Sequence, residues 1–418
     1  MLALQAHVVQ ALVSAQTGFA CNPEDAGACF GNGACQPRTT PVAAAHAPTT
    51  PSAAASSTKS SSSGRASSSC ACGPGWVGAS CDIMHLGAVN VAQLGFRNAS
   101  NPTWGGTVVQ HGGAWHMFTS GKRLTNNTNR GTIGSSSGTT RAIRAVSHTG
   151  PNGPYVFAED LEATPPARLG AGGIGLRVDV HRAPNGSLVL FTAAALDGKW
   201  GLVALVSPAG EPAGPWLPSM LYRVELNSTA RWNCGQLNDP TGSIATDGSL
   251  LVAFRTQWDC AGEPLERIGL LHSPHWTEPL TKLTTDATAP LFGSLDSNED
   301  PFLWRSARGV HMLLHTQGGA DGRSWPDKKT RGAVAFAPGD GTNISAWRVS
   351  SNEAWTAEVL WGNGSATRAQ RRQRPSMVFG GSGSERRATH LITGVNFASA
   401  DFHSTNADWT LVTPLTLT

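Results

Sequence analysis

From residue 85 onward the chain alternates short apolar runs with clusters of Gly, Pro, Asn and Asp. No stretch longer than about ten residues shows the 3.6 period of a helix. Short apolar runs bounded by turn residues predict strands, and strands at this density predict a sandwich, a barrel or a propeller.

Five segments repeat one pattern: a polar residue often followed by Pro, a short apolar stretch, a Gly-containing turn, then a strongly apolar run. They begin at Asn101-Pro102-Thr103-Trp104, Asp179-Val180-His181, Asp239-Pro240-Thr241, Asp300-Pro301-Phe302 and Arg374-Pro375-Ser376, with starts 78, 60, 61 and 74 residues apart. Each reads as a hairpin. Sixty-odd residues hold about four short strands and their loops, which is one propeller blade. Five repeats therefore predict an all-β fold, a five-bladed β-propeller over 85–418. A large β-sandwich with chance similarity is the alternative.

Composition narrows the class. The 418 residues are 40% hydrophobic and 14% charged, and 31 basic residues oppose 28 acidic ones for a net charge of +3. That balance predicts no nucleic-acid partner. No run of about 18 apolar residues occurs, so no membrane span is expected. The one basic cluster, Arg368, Arg371, Arg372 and Arg374, reads as a solvated loop. Residues 1–20 are a candidate signal peptide, with the small residues Val13-Ser14-Ala15 near its end. Six Asn-x-Ser/Thr sites (Asn98, Asn126, Asn185, Asn227, Asn343 and Asn363) and an even count of eight cysteines fit a secreted or cell-surface glycoprotein.

Six of the cysteines lie before residue 82, the last three as Cys70-Ala71-Cys72-Gly73-Pro74-Gly75-Trp76-Val77-Gly78-Ala79-Ser80-Cys81. This stretch resembles the C-terminal half of an epidermal-growth-factor-like module, and Cys29-Phe30-Gly31-Asn32-Gly33-Ala34-Cys35 resembles that module's central turn. Spacing alone leaves 15 pairings; the resemblance implies Cys21–Cys35, Cys29–Cys70 and Cys72–Cys81. The module would span 21–82, with a disordered Ser/Ala/Thr/Pro insert at 36–69. No acid precedes Cys21, so no calcium is expected there. Modules of this kind commonly mediate extracellular contacts, which implies a protein partner. Cys234 and Cys260 bracket the third hairpin and are expected to pair.

The repeats resemble the five-bladed glycosidases of the arabinanase and xylosidase type, glycoside hydrolase family 43. That resemblance implies a glycan substrate and three acids at the starts of the inner strands. Asn238-Asp239-Pro240 is similar to the family's pKa-modulating motif, with Asp239 in that role. Glu299-Asp300-Pro301 is similar to the acid motif, with Glu299 as general acid. Asn101 stands where the family has its base, so Asp179 is the substitute base. Asp239 or Asp300 would be the nucleophile of a retaining enzyme. Trp104 and Trp304, with Trp258 and Trp325, are candidate sugar platforms; Asn101, Arg255 and Arg374 are candidate substrate-binding groups. His311 and His315 face the channel or are satisfied core groups.

No metal-ligand spacing or dinucleotide motif occurs, so no metal or cofactor is expected. Two functions follow: a glycoside hydrolase acting on extracellular or cell-wall polysaccharide, or a non-catalytic carbohydrate-binding or adhesion protein on the same scaffold. Convergence of Asp179, Asp239 and Glu299 within about 10 Å would favour the first.

Overall fold

The computed structural model describes residues 21–37, 68–98, 102–122, 140–161, 177–224, 237–256, 266–284, 290–292, 298–316, 332–381, 386–397 and 408–417. The candidate signal peptide, nearly all of the Ser/Ala/Thr/Pro insert, Asn101, Trp258, Trp325, Cys234 and Cys260 lie outside them.

The described residues form a five-bladed propeller. Blade one pairs Thr103–His111, Ala114–Lys122, Thr140–Ser147 and Val156–Asp160. Blade two pairs Asp179–Arg182, Leu188–Leu196, Lys199–Ser207 and Leu217–Arg223. Blade three pairs Asn238–Ile244, Leu250–Arg255, Ile268–Ser273 and Thr281–Lys282. Blade four pairs Asn298–Ser306, Gly309–Thr316, Gly332–Pro338 and Arg348–Val349. Blade five has three strands of its own, Arg371–Gly380, Arg387–Asn396 and Trp409–Pro414. Within each blade the strands are antiparallel and neighbour one another in chain order.

The second strands of blades two and three are almost wholly apolar because both of their faces are buried. Side chains alternate across a strand. Val189, Phe191 and Ala193 thus pack toward Val252 and Phe254 of blade three. Leu188, Leu190 and Ala194 pack toward Phe118 and Ala142 of blade one. Leu251 and Ala253 turn the other way, toward Leu303 and Met312 of blade four. Met377 and Leu391 of blade five meet Leu313 and Val334 of blade four. Val378 and Ile392 close the circle onto Met117 and Ile143 of blade one. Every adjacent pair of blades thus has its own apolar core.

Blade five's outer edge is covered by chain from the other end of the domain. Leu86 and Phe96 form antiparallel bridges to Leu415 and Thr410. Gly87 N–H donates to the Pro414 carbonyl at 2.7 Å, and Thr416 N–H to that of His85 at 2.7 Å. Covering the edge protects backbone groups that would otherwise be free to pair with another chain.

The disulfide-bonded segment is seated on blades four and five. Three bridges close it: Cys21–Cys35, Cys29–Cys70 and Cys72–Cys81. Cys29, Trp76, Cys81 and Met84 share one apolar cluster with Trp304, Leu313, Trp355 and Met377. The Trp76 and Trp304 rings stack at 6.4 Å. The Asp82 carboxylate accepts from Asn352 Nδ2 at 3.0 Å and from the Ser350 hydroxyl.

The arginine cluster departs from expectation. Arg371, Arg372 and Arg374 are buried in blade five's inner strand; only Arg368 is exposed. Arg372 is held by carbonyls: Nη1 donates to Thr356 at 2.9 Å and Glu358 at 3.0 Å. Three basic residues in four positions mimic a surface run, yet each is matched by an acceptor or a carboxylate.

Gly242 shows how tightly blades two and three pack. A Cβ there would sit 2.2 Å from the Phe191 ring. Gly242→Val is expected to cost about 1–3 kcal/mol by overpacking, read as a lower midpoint in chemical denaturation. An unchanged midpoint would show that the interface has slack.

Candidate functional site

The inner strands converge on the propeller axis, and four of the five slip register once near their starts. The slips fall between Trp104 and Thr107, Asn238 and Thr241, Glu299 and Phe302, and Gln373 and Ser376. The residues left unpaired are Gly105-Gly106, Asp239-Pro240, Asp300-Pro301 and Arg374-Pro375. Proline cannot donate to a ladder and so suits a bulge. The first residue of each pair is left-handed, with φ of 67°, 44°, 53° and 53°. A non-glycine residue held there costs on the order of 1–3 kcal/mol and commonly marks a functional position.

Blade two is placed by hydrogen bonds between blades. Thr107 Oγ1 accepts from Val180 N–H at 2.9 Å, and Thr241 Oγ1 accepts from Leu303 N–H at 3.1 Å. Asp179 Oδ2 accepts from Gly242 N–H at 3.1 Å in the same way. Asp179 therefore matches Thr107 and Thr241, and Arg177, two residues earlier, matches Gly105 and Asp239. Around the axis the ring reads Gly105, Arg177, Asp239, Asp300 and Arg374.

Two expectations change. Asn101 lies outside the described residues; the blade-one position equivalent to Asp239 is Gly105, where a Cβ would meet the Arg374 Cβ at 2.6 Å. A glycine pair meets the same backbone need as Asp-Pro without carrying a side chain. Asp179, expected as a substitute base, is bound between blades two and three. It is fully buried, and the Oδ2 that staples blade three also pairs with His181 Nε2 at 2.8 Å. Burial pushes its carboxyl up, but the His181 and Arg177 charges and the hydrogen bonds hold it below the usual range.

The acids at the axis belong to blades three and four and are bound to arginines. Arg374 lies 3.4 Å from Asp239 Oδ1 through Nη2 and 3.4 Å from Asp300 Oδ1 through Nε. Its backbone N–H donates to Asp300 Oδ2 at 3.1 Å. Arg255 Nε donates to the other Asp239 oxygen, and its Nη1 donates to Glu266 Oε1 at 2.5 Å. His315 Nδ1 meets Glu299 Oε1 at 2.6 Å. Arg177 Nη2 donates to the Pro375 carbonyl at 2.9 Å, while its Nη1 is buried without a partner.

These contacts sort the protons. Burial raises Asp239, but Arg255 and Arg374 outweigh it and hold its carboxyl at about 2. Burial likewise raises Glu299, and His315 outweighs it, holding that carboxyl at about 2. Glu266 goes the other way: burial first, then the Glu299 charge and a hydrogen bond to it, push it well above the usual range. Asp300 is raised by burial and by Glu299. Glu266 and Glu299 thus form a carboxylic acid–carboxylate pair. Their side chains are 16% and 15% exposed, against 0% for Asp239 and 4% for Asp300, so this pair is the part a ligand can reach.

Glu266 was not anticipated. It lies just before the third strand of blade three, which runs parallel to the inner strand and so starts at the same end. An acid at that place carries the signal. Glu299, Asp300 and His315 bring three donor atoms within 4.8 Å of one another, a set that could hold a cation. The 2.6 Å His315–Glu299 contact is a hydrogen bond, however, and a cation would have to open it.

Neither tryptophan is a free platform. Trp104 is 3% exposed, with the Arg371 guanidinium 4.0 Å from its ring centre on one side and Gly394 close by. Trp304 lies at the far end of its strand, stacked on His311 at 4.7 Å and on Trp76. His311 is a core group that burial holds at about 3.

No family model and no curated protein matches the chain. Solved structures do match. A family 117 glycoside hydrolase from the marine bacterium Zobellia galactanivorans is 13% identical over 81% of this chain and 91% of its own, with a TM-score of 0.51. The fold is shared with glycoside hydrolases. An endo-arabinase from Bacteroides thetaiotaomicron is 13% identical over 77% and 96%, with a TM-score of 0.47. An α-L-arabinofuranosidase from Podospora anserina is 12% identical over 79% and 94%, with a TM-score of 0.45. At such identities the likeness is one of fold.

Asp239→Asn leaves two buried guanidinium groups short of their counter-charge. The expected cost at pH 7 is about 3–5 kcal/mol, measured by denaturant unfolding. The folded carboxyl at about 2 lies below its unfolded 3.8, so its contribution is complete above the unfolded value and fades as pH falls toward 2. The gap between wild type and variant should close over that window.

Proposed function

We propose that the protein is an extracellular glycoside hydrolase in which Glu266 is the general acid and Glu299 its partner. The observation that carries this reading is the largely buried acid–carboxylate pair at the end of the channel, which keeps about 15% of its side-chain surface open. Glycoside hydrolysis needs a carboxyl that is still protonated at working pH to protonate the leaving oxygen. Glu266, held up by burial and by the Glu299 charge, meets that need. Glu299, held ionised beside His315, does not, so the acid role assigned to it from sequence moves one residue across the pair. Asp239 anchors Arg255 and Arg374 and sets the local field. Asp300 adds negative charge beside Glu299. The glycan, the extracellular setting, and a growth-factor-like identity and protein partner for 21–82 belong to the same proposal; the three disulfides support the setting. Among the described residues no helix is long and apolar enough to cross a membrane.

One observation favours the second reading, a glycan-binding protein without turnover. Glu266 and Glu299 share one proton and so serve one face of a sugar. In a five-membered ring, blade one stands across from the junction of blades three and four. Its ring position is Gly105, which has no carboxylate to activate a water on the opposite face.

The test is hydrolysis of nitrophenyl glycosides and of plant and algal polysaccharides by the oxidised chain. Glu266→Gln should lower kcat/KM by at least about 100-fold. A carboxyl raised above its unfolded 4.5 costs stability as pH rises past that value, because folding must retain its proton. The amide removes that cost, so Glu266→Gln should be about as stable as wild type at pH 4 and more stable at pH 7. No sugar release from any substrate, with binding retained on a glycan array, would establish the second reading.

A further inference from the structure

The other mouth of the channel carries a different chemistry. The C-terminal halves of the inner strands enclose a cavity of about 310 Å³ whose lining includes Arg182, Arg305 and Arg386 and no Asp or Glu. A second cavity, of about 400 Å³, runs between the disulfide-bonded segment and blades four and five. Its lining includes Arg305, Arg308, Arg386 and Arg387, again without an acid. Trp304, Arg305, Phe379 and Arg386 line both, so the two form one cleft.

We propose that this cleft is a second glycan site, built for a polysaccharide carrying sulfate or carboxylate groups. Five guanidinium groups line it in a chain whose net charge is only +3. None of the five is in an ion pair among the described residues. Arg182 donates to the carbonyls of Gly186 at 2.9 Å and Gln110 at 3.4 Å, and Arg305 to that of Asp340 at 3.2 Å. Those bonds fix the groups without cancelling their charge, and Arg305 Nε is buried with no partner. Arg386 lies over the Phe379 ring at 4.2 Å. The acids acting on Arg305, Asp247 and Asp340, stand at exposed turns outside both linings. Preset guanidinium groups are matched to oxyanions. A recessed, elongated cleft takes an extended chain, whereas a membrane or a duplex calls for a basic outer face. The site is independent of the Glu266–Glu299 pair at the opposite mouth and does not rest on its being catalytic.

The experiment is isothermal titration of the full, oxidised chain with a heparin octasaccharide and with an oligogalacturonate. Binding should weaken as salt rises, since contacts between exposed charges are screened. The double variant Arg305→Gln/Arg308→Gln should weaken it by about tenfold or more, as expected for a lost charged hydrogen bond. Arg386→Gln/Arg387→Gln, at two exposed positions, should do the same. Arg368→Gln, an exposed arginine outside the cleft, and Glu266→Gln should leave affinity unchanged. Equal loss in Arg368→Gln, loss in Glu266→Gln, or no binding at 50 mM salt would overturn the proposal. So would equal or tighter binding of a single-stranded DNA of matched charge, or of phosphatidylserine vesicles, through the same arginines.

Discussion

Five strands cannot meet on one axis unless each turns its side chains aside, and the structure depends on how that turn is made. In four of the five blades a bulge puts one inner-strand residue into a left-handed conformation at the axis. Those residues are then too crowded to keep water around their charges. Burying an ion without a partner is prohibitively costly, so the axis can hold charge only as compensated sets. Asp239 between Arg255 and Arg374, and Asp300 against Arg374, are such sets. Gly105 belongs to the same solution, because the Arg374 side chain needs the space a Cβ would fill.

Compensation at the axis also explains why the proton sits off it. With Asp239 already paired to two arginines, the next carboxyls outward, Glu299 and Glu266, are sorted by their own neighbours. His315 settles which of them is ionised. The other keeps a proton because burial and its neighbour both oppose its loss. An acid poised in this way is a consequence of packing four carboxyl groups into two adjacent blades.

The repeat was legible in the sequence because its cause is strong. Second strands buried on both faces are strongly apolar, and runs such as 188–196 and 250–254 stand out for that reason. The inner-strand starts were legible only where Pro followed the bulge residue, at Asp239, Asp300 and Arg374. In blade one Gly105-Gly106 makes the bend instead, and the nearby Asn101-Pro102 attracted the match. In blade two Val178 replaces Pro, so Asp179 drew attention that belonged to Arg177. Glu266 lies just before a third strand, outside the hairpin that the repeat marks. The arginines of blade five were misread because a run of like charge says nothing about which groups will meet it across the axis.

The N-terminal segment changes meaning once it is seen in place. A small disulfide-bonded piece lacks enough apolar surface for a core of its own. Here it completes one: Trp76 and Met84 fill space between Trp304, Trp355 and Met377. Just beyond it, residues 85–96 cover the edge of blade five. A propeller is a ring, and its weakest joint is where the first and last blades meet, since no chain connection crosses it. Chain from before blade one lies along the outside of blade five and ties that joint from without. The disulfides that shape the segment therefore bear on the closure of the whole ring. By fixing the segment beneath blades four and five, they also form one wall of the arginine cleft.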